Sequence, residues 1–429
     1  MKKQRYYYLW NIGCQMNRAD AWRVAEGLEK RGLLPTRDPS QADILVLNTC
    51  VVRQSAENKV IGRLSSLRSL KRSPQRRLLL VMGCFVDDPH ALRESYPFVD
   101  AFFKPSDIAG VLAAADQWLS EQREQTQPIT PVPVSALVPI SYGCDRHCTY
   151  CIVTLRRGPQ QSRPLEEIVA EVQELVQRGA REITLLGQNV DAYGTDLPNH
   201  PDLADILYAI HDIKDLWRIR FLTSHPKDMT QRIIQAVAEL PKVCECWELP
   251  VQSGDDVVLR RMARGYTVAH FRKLVQRIRQ ATPQCAINTD IIVGFPGETI
   301  TQFKNTLRLL EEIRFDVVHV AAYSVRPGTP AARWEDDVPP EEKERRRSLV
   351  EELQTQIASE INAKLLGQEV EILVDGKQRG RWRGRTRTNK LVFFESAENW
   401  LGRLARVRIT WTGPWSMLGE PISEKAPLS

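Results

Sequence analysis

Apolar and polar positions alternate along the first third of the chain in a way that predicts strands separated by helices. Apolar runs occupy residues 6–13, 44–49 and 78–83, and apolar residues recur at helical spacing over 19–30 and 56–70. Strands that alternate with helices are typical of parallel sheets. The pattern therefore predicts an N-terminal α/β domain built on a parallel sheet.

A polar stretch rich in Gln, Thr and Pro, residues 121–133, follows this domain and indicates an extended linker. Beyond it the alternation resumes. Strands are expected at 137–141, 182–186, 217–222, 244–251, 286–293 and 316–323, and helices at 164–178, 203–210, 230–238, 268–280 and 301–313. Periodicity alone fits either a partial (β/α) barrel or an open doubly wound sheet. In both folds, ligands bind at the carboxyl ends of the strands.

The pattern changes again near the C-terminus. Residues 341–366 predict one long helix, and short alternating runs at 369–374, 390–394 and 404–411 predict strands. Short strands in this arrangement are typical of a small all-β barrel.

Composition narrows the class of protein. At 429 residues the chain is long enough for about two to four domains, and its 42% hydrophobic content is that of a soluble globular protein. No apolar run approaches the roughly 18 residues of a membrane span, so no membrane partner is expected. Nine cysteines, an odd number without dense pairing, favour thiols in a reducing cytoplasm. The net charge of +6 permits a nucleic-acid partner without requiring one.

Three cysteines, Cys144, Cys148 and Cys151, lie at C-x3-C-x2-C spacing directly after an apolar run. Thiolates select zinc or iron–sulfur clusters. A structural zinc site wants four protein ligands, and no fourth Cys lies nearby. A four-iron cluster held by three cysteines instead keeps one iron open for substrate atoms. A structural zinc loop and buried core cysteines remain the alternatives.

Three more cysteines, Cys14, Cys50 and Cys84, each follow one of the first three apolar runs. Because the carboxyl ends of parallel strands meet at one edge of a sheet, these thiols are expected to lie together. They predict a second site with three cysteine ligands. Buried core cysteines are again the alternative, since such cysteines are common.

Several motifs resemble one known family. C-x3-C-x2-C with an aromatic residue before its last Cys is similar to the signature of radical S-adenosylmethionine (SAM) enzymes. The motifs at residues 13–17 (GCQMN), 47–50 (LNTC) and 82–84 (MGC) resemble the N-terminal domain of the methylthiotransferases. The Phe-Val-Asp after Cys84 departs from that family's usual sequence. Residues 186–194 (LGQNVDAYG) resemble the branch that acts on tRNA.

The resemblance implies two 4Fe-4S clusters and SAM as cofactors. It implies that Cys144, Cys148 and Cys151 hold the cluster that binds SAM, and that Cys14, Cys50 and Cys84 hold the second. No catalytic side chain beyond these ligands is implied. Gly187, Gln188 and Ser253 become candidates to contact SAM, and Arg326 to stand near the site, with ordinary turn and capping duty as the alternative.

A basic run near the C-terminus predicts contact with phosphates. Its members alternate strictly, so an extended segment would carry them on one face; they are Lys377, Arg379, Arg381, Arg383, Arg385 and Arg387. Trp382, between them, is expected either to stack on a base or to pack into the barrel. The alternative for the run is a solvated basic loop. Residues 384–394 resemble a TRAM-type RNA-binding domain.

The resemblance covers nearly the whole chain and implies three domains. The methylthiotransferase N-terminal domain would occupy 1–122 and hold the second cluster. A linker would occupy 123–134, the radical SAM domain 135–362 and the TRAM-type domain 363–429. The fold class expected is thus α/β, with a parallel-sheet domain, a partial (β/α) barrel and a small all-β barrel.

The implied activity is transfer of a methylthio group to carbon 2 of N(6)-isopentenyladenosine beside the anticodon of tRNA, with SAM as radical source and methyl donor. That C–H bond is unactivated, so a cofactor must supply the difficult step. The implied partners are tRNA, an electron donor such as flavodoxin or ferredoxin, and iron–sulfur assembly proteins. The alternatives are threonylcarbamoyl-adenosine or a ribosomal-protein aspartate as the target, and a non-catalytic iron–sulfur RNA-binding protein.

Overall fold

The structure is a computed structural model that describes residues 4–51, 54–71, 76–120 and 132–422, without the side chains of residues 54 and 55. The chain forms two compact units. The first comprises Met1–Pro131, Tyr142–Asp145 and Ile152–Pro159, and the second comprises Val132–Ser141, Arg146–Cys151 and Gln160–Ser429. Of the predicted linker, residues 123–131 lie outside the described residues.

The first unit is built on a five-stranded parallel sheet, which confirms the predicted α/β fold. The strand order is β2-β1-β3-β4-β5, so the three predicted strands are neighbours at its centre. The strands are β1 (Arg5–Asn11), β2 (Leu33–Pro35), β3 (Ile44–Thr49), β4 (Leu78–Gly83) and β5 (Ala101–Phe103), and the helices are α1 (Gln15–Glu29), α2 (Gln54–Lys71), α3 (Pro89–Ser95) and α4 (Ile108–Ser120). Strands β2 and β5 were not predicted, because three residues are too few to show a period.

Apolar side chains cover both faces of this sheet. Since successive strand residues point to opposite faces, Val46 packs in one cluster with residues of α1 and α4, while Leu45 packs in another with residues of α2. Strands β3 and β4 are buried along their whole length. This burial on both faces explains why they read as continuous apolar runs.

The second unit begins with six parallel strands that follow one another in chain order. Strands β6, β9 and β10 form one sheet and β11, β12 and β13 another, and a bridge between Ile219 and Val243 links the two. An open doubly wound sheet would reverse its strand order. Because these six strands keep their chain order, the fold is the partial (β/α) barrel and not the open sheet. Its six strands are β6 (Ser135–Pro139), β9 (Glu182–Leu186), β10 (Arg218–Phe221), β11 (Cys246–Glu248), β12 (Ala286–Val293) and β13 (Val317–Ala322). Two short strands, β7 (Ser141–Tyr142) and β8 (Gln161–Ser162), pair in a sheet of their own.

Helices follow the barrel strands, and the five predicted ones are all present, whereas the short helices at Val153–Arg157 and Asp256–Arg261 were not predicted. The helices are α6 (Leu165–Gln177), α7 (Leu203–His211), α8 (Gln231–Glu239), α9 (Asp256–Arg261), α10 (Val268–Ala281) and α11 (Ile300–Ile313), after a short α5 (Val153–Arg157) that belongs to the first unit. Several begin at polar caps, such as Thr267 on α10 and Thr299 on α11, whose side chains accept from backbone N–H groups of the first turn.

A long helix, α12 (Pro340–Ala363), leads into a closed five-stranded barrel of order β14-β15-β16-β18-β17. The strands are β14 (Glu369–Gln378), β15 (Arg381–Arg385), β16 (Leu391–Phe394), β17 (Leu404–Thr412) and β18 (Met417–Pro421). The all-β barrel was predicted, but strands β15 and β18 were not. Neither contains a β-branched residue, and each contains a glycine, which is uncommon in strands. Within the described ranges, no helix has the length and apolar character needed to cross a membrane.

Candidate functional site

Cys14, Cys50 and Cys84 lie at one edge of the first unit's sheet, just beyond β1, β3 and β4. Cys50 and Cys84 are buried and Cys14 is exposed. Two glycines allow the loops to approach this closely. A Cβ on Gly13 would lie 2.6 Å from the Cβ of Cys50, and a Cβ on Gly83, whose φ is +104°, would lie 2.3 Å from the carbonyl oxygen of Thr49. The three cysteines thus follow neighbouring strands at one edge of the sheet; that they hold one cluster stays a prediction.

A buried arginine that the sequence analysis did not identify stands beside this trio. The Arg157 side chain is 4% exposed and lies 3.7 Å from the carboxylate of Asp20. It donates to Ser106 Oγ at 3.0 Å and to Asn17 Oδ1 at 3.2 Å. Burial raises the pKa of the Cys84 thiol, and the Arg157 charge works against that increase. The only sequence signal was a pair of arginines before a glycine, shortly after the cysteine motif.

The C-x3-C-x2-C loop carries the chain from the first unit to the second. Cys144 belongs to the first unit, where its N–H donates to the carbonyl of Gly158 at 3.1 Å. Cys148 and Cys151 belong to the second, where the N–H of Cys151 donates to the carbonyl of Cys148 at 3.0 Å. Thr149 fastens this turn by donating from its hydroxyl to the carbonyl of Arg261 at 2.7 Å. The three cysteines therefore belong to one sequence motif, although the motif has members in both units.

Arg264, which the sequence analysis also missed, contacts the second part of this loop. It is 5% exposed, and its Nη1 lies 3.5 Å from Cys148 Sγ and 3.5 Å from Tyr150 Oη. Its Nη2 donates to the carbonyl of Pro250 at 2.7 Å and its Nε to Tyr266 Oη at 3.0 Å. Within the described part of the chain no carboxylate forms an ion pair with it. A buried cation without an anion is costly, so this position calls for negative charge.

The ligand set of each trio suits an iron–sulfur group better than zinc. A structural zinc site takes four protein ligands, whereas three thiolates with one open iron suffice for a cube of four irons. The buried guanidinium of Arg264 beside Cys148 matches the negative charge that such a group brings. The donor sets present therefore suit 4Fe-4S clusters.

The residues predicted to contact SAM lie at the carboxyl ends of barrel strands. Gly187 follows β9, and a Cβ there would lie 2.7 Å from Ser141 Oγ. Gln188 is partly exposed beside it, whereas Ser253 is fully buried, with its Oγ accepting from the N–H of Asp255 at 3.3 Å. Arg326 is buried beyond β13. Contact of these residues with SAM stays a prediction. The hydrogen bond that the Ser253 hydroxyl accepts from Asp255 lies within its own loop.

A polar network ties the loops at this end of the barrel together. Asp228 pairs with Arg146 of the cysteine loop and accepts from Asn189 Nδ2 at 2.7 Å. Asp191 accepts from Ser224 Oγ and from the N–H of His225, both at 2.9 Å. Burial raises the pKa of Asp191 to about 7. Burial, with help from nearby arginines, lowers the pKa of His225 to about 2, so its imidazole is neutral.

The prediction that the six basic residues share one extended face is wrong, because the run reverses direction. Lys377 is the next-to-last residue of β14, Arg379 and Gly380 form a tight turn with φ of +49° and +85°, and Arg381 begins β15. Glycine readily adopts such a φ, which lets the chain fold back. Two antiparallel strands and their connecting turn therefore divide the basic residues.

The C-terminal part of the run binds the protein itself. Arg387 donates to Glu245 Oε1 at 2.7 Å and to the carbonyl of Pro241 at 2.7 Å, both near barrel strand β11. Arg218 and Arg220 of β10 donate to backbone carbonyls of Arg385, Thr386 and Arg387 at 2.5–2.7 Å. This segment therefore anchors the small barrel on the partial barrel.

The rest of the run lies at the hairpin end. Lys377, Arg379 and Arg381 are exposed, and Arg383 pairs with Asp375 at 2.7 Å. Trp382 is 6% exposed and its Nε1 donates to the carbonyl of Ser396 at 3.2 Å. Of the two expectations for this tryptophan, packing into the barrel is the one observed.

Family models match three parts of the chain. The radical SAM superfamily matches residues 138–310, the uncharacterized protein family UPF0004 matches residues 6–104 and the TRAM domain matches residues 363–422. Among solved structures, the radical SAM methyltransferase TsrM from Kitasatospora setae has a TM-score of 0.56 at 14% identity, with 77% of each chain covered. The radical enzyme OxsB has a TM-score of 0.51 at 13% identity, with 82% of this chain and 56% of that one covered. At these identities the likeness concerns the fold alone.

Curated relatives match almost end to end. A tRNA-2-methylthio-N(6)-dimethylallyladenosine synthase from Roseiflexus sp. (strain RS-1) is 51% identical over 97% of this chain and 90% of its own length. A second of the same name, from Herpetosiphon aurantiacus, is 46% identical over 99% of both. Together with the two cysteine trios and the three matched domains, this similarity shows that the chain belongs to the tRNA-2-methylthio-N(6)-dimethylallyladenosine synthase family.

Proposed function

We propose that this protein transfers a methylthio group to carbon 2 of N(6)-isopentenyladenosine beside the anticodon of tRNA. The observation that carries the proposal is the pair of cysteine trios in a chain that matches synthases of this name over nearly its full length. One trio supports SAM cleavage and the other supports sulfur insertion. A protein that only bound RNA would not need an open iron at either site.

In this proposal Cys144, Cys148 and Cys151 hold the cluster that binds SAM, and Cys14, Cys50 and Cys84 hold the second. When bound, the two clusters and SAM supply radical abstraction of the C–H hydrogen, sulfur and a methyl group. Gly187, Gln188 and Ser253 would shape the SAM site. The buried loops at the strand ends fix the positions of the ligands and exclude water, which protects reactive species.

The TRAM domain supports an RNA partner, and radical SAM chemistry needs a one-electron reductant. We propose tRNA as the RNA and a flavodoxin or ferredoxin as the reductant, with the work done in the cytoplasm. We also keep the domain division at 1–122, 123–134, 135–362 and 363–429. Within the basic run, Lys377, Arg379 and Arg381 are the members proposed to meet phosphates.

In the decisive experiment, the anaerobically reconstituted enzyme is incubated with SAM, dithionite and tRNA that carries isopentenyladenosine. The expected products are 5′-deoxyadenosine and methylthiolated isopentenyladenosine in the hydrolysed tRNA. A parallel incubation with tRNA that carries threonylcarbamoyl-adenosine, or with the ribosomal protein, tests the other targets. Modification of either target instead would contradict the proposed substrate, and absence of 5′-deoxyadenosine would contradict the enzyme class.

Replacing Cys50 separates the two sites. The C50A variant is expected to keep SAM cleavage and to lose sulfur insertion, because only the second trio is broken. Cys285 offers a matched control, since it lies outside both trios, and C285A should retain both activities. If C50A still methylthiolated tRNA, the second site would be wrongly assigned.

A further inference from the structure

We propose that Arg264 tunes the cluster held by the C-x3-C-x2-C loop, by donating a hydrogen bond to Cys148 Sγ and by supplying the buried positive charge opposite the cluster. Arg264 is a positioning residue: it acts through a cysteine ligand. The inference rests on the first cluster of the proposed function and goes beyond it, since it concerns a residue outside the cysteine motif, more than 100 positions away along the chain.

The contacts of Arg264 place it between the cysteine loop and a loop proposed to meet SAM. On one side its Nη1 lies 3.5 Å from Cys148 Sγ. On the other its Nη2 donates to the carbonyl of Pro250 at 2.7 Å, in the segment that leads to Ser253. Tyr266 joins the same segment, because its hydroxyl donates to the carbonyl of Val251 at 2.9 Å. The guanidinium is planar and its donors have a fixed geometry. One side chain therefore contacts both loops and fixes their relative position.

The local backbone is shaped to aim this side chain inward. Helix α9 ends at Arg261, and Ala263 then takes the left-handed conformation, with φ of +56°. A residue with a Cβ adopts this conformation only at an energetic cost. Gly265 on the other side has φ of +71°. The resulting turn brings Arg264 to 5% exposure instead of leaving it on the surface.

The charge around Arg264 favours an anionic cofactor as its partner. The polar atoms around the guanidinium are two tyrosine hydroxyls, one thiol and one carbonyl, from Tyr150, Tyr266, Cys148 and Pro250. None of these carries a negative charge in a thiol form of the loop. A buried charge that stays unpaired is strongly unfavourable. A cluster bound through thiolates would supply the anion at the Cys148 end.

The consequence is a shift in reduction potential. Hydrogen bonds to ligand sulfurs and nearby positive charge both favour the reduced cluster, which carries one more electron. The step concerned is a one-electron reduction, with dithionite as donor in the test below and with no bond made or broken. Removing the guanidinium should therefore lower the potential and make the cluster harder to reduce.

The test uses the full chain with C50A and C84A, so that only the first cluster forms after anaerobic loading with iron and sulfide. Redox titration followed by electron paramagnetic resonance then gives the midpoint potential. R264Q is expected to shift the reduction equilibrium at least tenfold, which is about 59 mV for one electron. R264K keeps the charge but not the fork, so its shift should be smaller and in the same direction.

Arg260 offers a matched control, because it lies four residues earlier and is exposed. R260Q removes the same charge and should leave the equilibrium constant for reduction of the cluster within twofold of the parent's. An unshifted R264Q, or an equal shift in R260Q, would overturn the inference.

Loading and folding are measured alongside. A variant at position 264 that keeps the native unfolding midpoint yet takes up no iron supports the guanidinium as the cluster's counter-charge. Loss of the native unfolding transition in both R264Q and R264K would overturn the inference, since Arg264 would then serve the fold. If the parent itself formed no iron–sulfur signal, the proposed function would fail as well, whereas a normal parent with an unshifted R264Q refutes this inference alone.

Discussion

At the scale of single residues, the cysteine sites depend on backbone that only glycine can supply. Gly83 combines a φ of +104° with a position where a Cβ would lie 2.3 Å from the carbonyl oxygen of Thr49. Strand β4 can therefore turn into Cys84 directly beside β3. A side chain at this position would push the two loops apart and move a thiol.

We expect G83A to lower the free energy of unfolding by about 2–4 kcal/mol, because it combines a strained conformation with a backbone clash. Gly62 in α2 is the control, since nothing lies within 4 Å of a Cβ built there. G62A should be neutral or stabilising by up to about 1 kcal/mol. Urea unfolding measures both variants, and a G83A variant as stable as the parent would contradict the steric argument.

The raised pKa of Asp191 makes the free energy of unfolding depend on pH. Its folded-state pKa is raised to about 7 by burial, whereas an unfolded Asp titrates near 3.9. The folded state thus holds the proton more tightly, so this group's contribution to stability is full below about pH 4 and is lost as the pH rises toward 7. Above that range the contribution no longer changes.

D191N should remove this part of the pH dependence. The free energy of unfolding of the parent, minus that of D191N, should fall between about pH 4 and 7 with a slope of at most about 1.4 kcal/mol per pH unit. Denaturant unfolding at several pH values measures the difference. A difference that stayed flat over this pH range would show that the pKa of Asp191 is not raised in the folded protein.

At the scale of elements, the hairpin of β14 and β15 divides one basic run into two groups of residues that make different contacts. Its turn presents Arg379 to solvent, while the segment after β15 delivers Arg387 to Glu245. The same residue type thus anchors the small barrel after β15, and near the turn we propose that it binds phosphate.

Two substitutions, one in each group, should have different effects. R379A is expected to weaken tRNA binding and to reduce the slope of log Kd against log salt by roughly 0.7–0.9, with stability changed by less than about 0.5 kcal/mol. R387A should lower the free energy of unfolding by about 1–3 kcal/mol, because Glu245 and two carbonyls lose their donor. Binding titrations at several salt concentrations and urea unfolding measure the pair. An R387A variant that lost only affinity would reverse the assignment.

At the scale of the whole molecule, the second trio is contained in the first unit, whereas the motif of the first trio has members in both units. The two sites are therefore assembled from largely different parts of the chain. Each should load iron without the other.

We expect C84A and C148A each to retain about four of the roughly eight irons of the doubly loaded protein, since each breaks one trio. Iron and sulfide analysis after anaerobic reconstitution gives the counts, and C285A serves as the control with the full complement. Loss of all iron in either variant would show that the two clusters do not assemble independently.

Much of this architecture could be predicted from local pattern. The central strands of the first sheet, the six strands and five helices of the partial barrel, and the existence of the small barrel all follow from the spacing of apolar residues, which sets secondary structure within a short window. The other strands, β2, β5, β7, β8, β15 and β18, and the short helices α3, α5 and α9 were not predicted, because they are short or unlike typical elements in composition. The cysteine positions followed from the rule that strand ends meet at one edge of a parallel sheet.

The sequence by itself determined the elements, the six candidate ligands and the family resemblance, because each depends on neighbouring residues or on a motif. Only the tertiary structure decided that Arg264 meets Cys148, that Arg157 lies beside Asp20 near Cys84, and that Arg387 binds Glu245. These pairs are separated by more than 100 residues along the chain. Their contacts depend on how the elements pack, and no periodicity or local spacing carries that information.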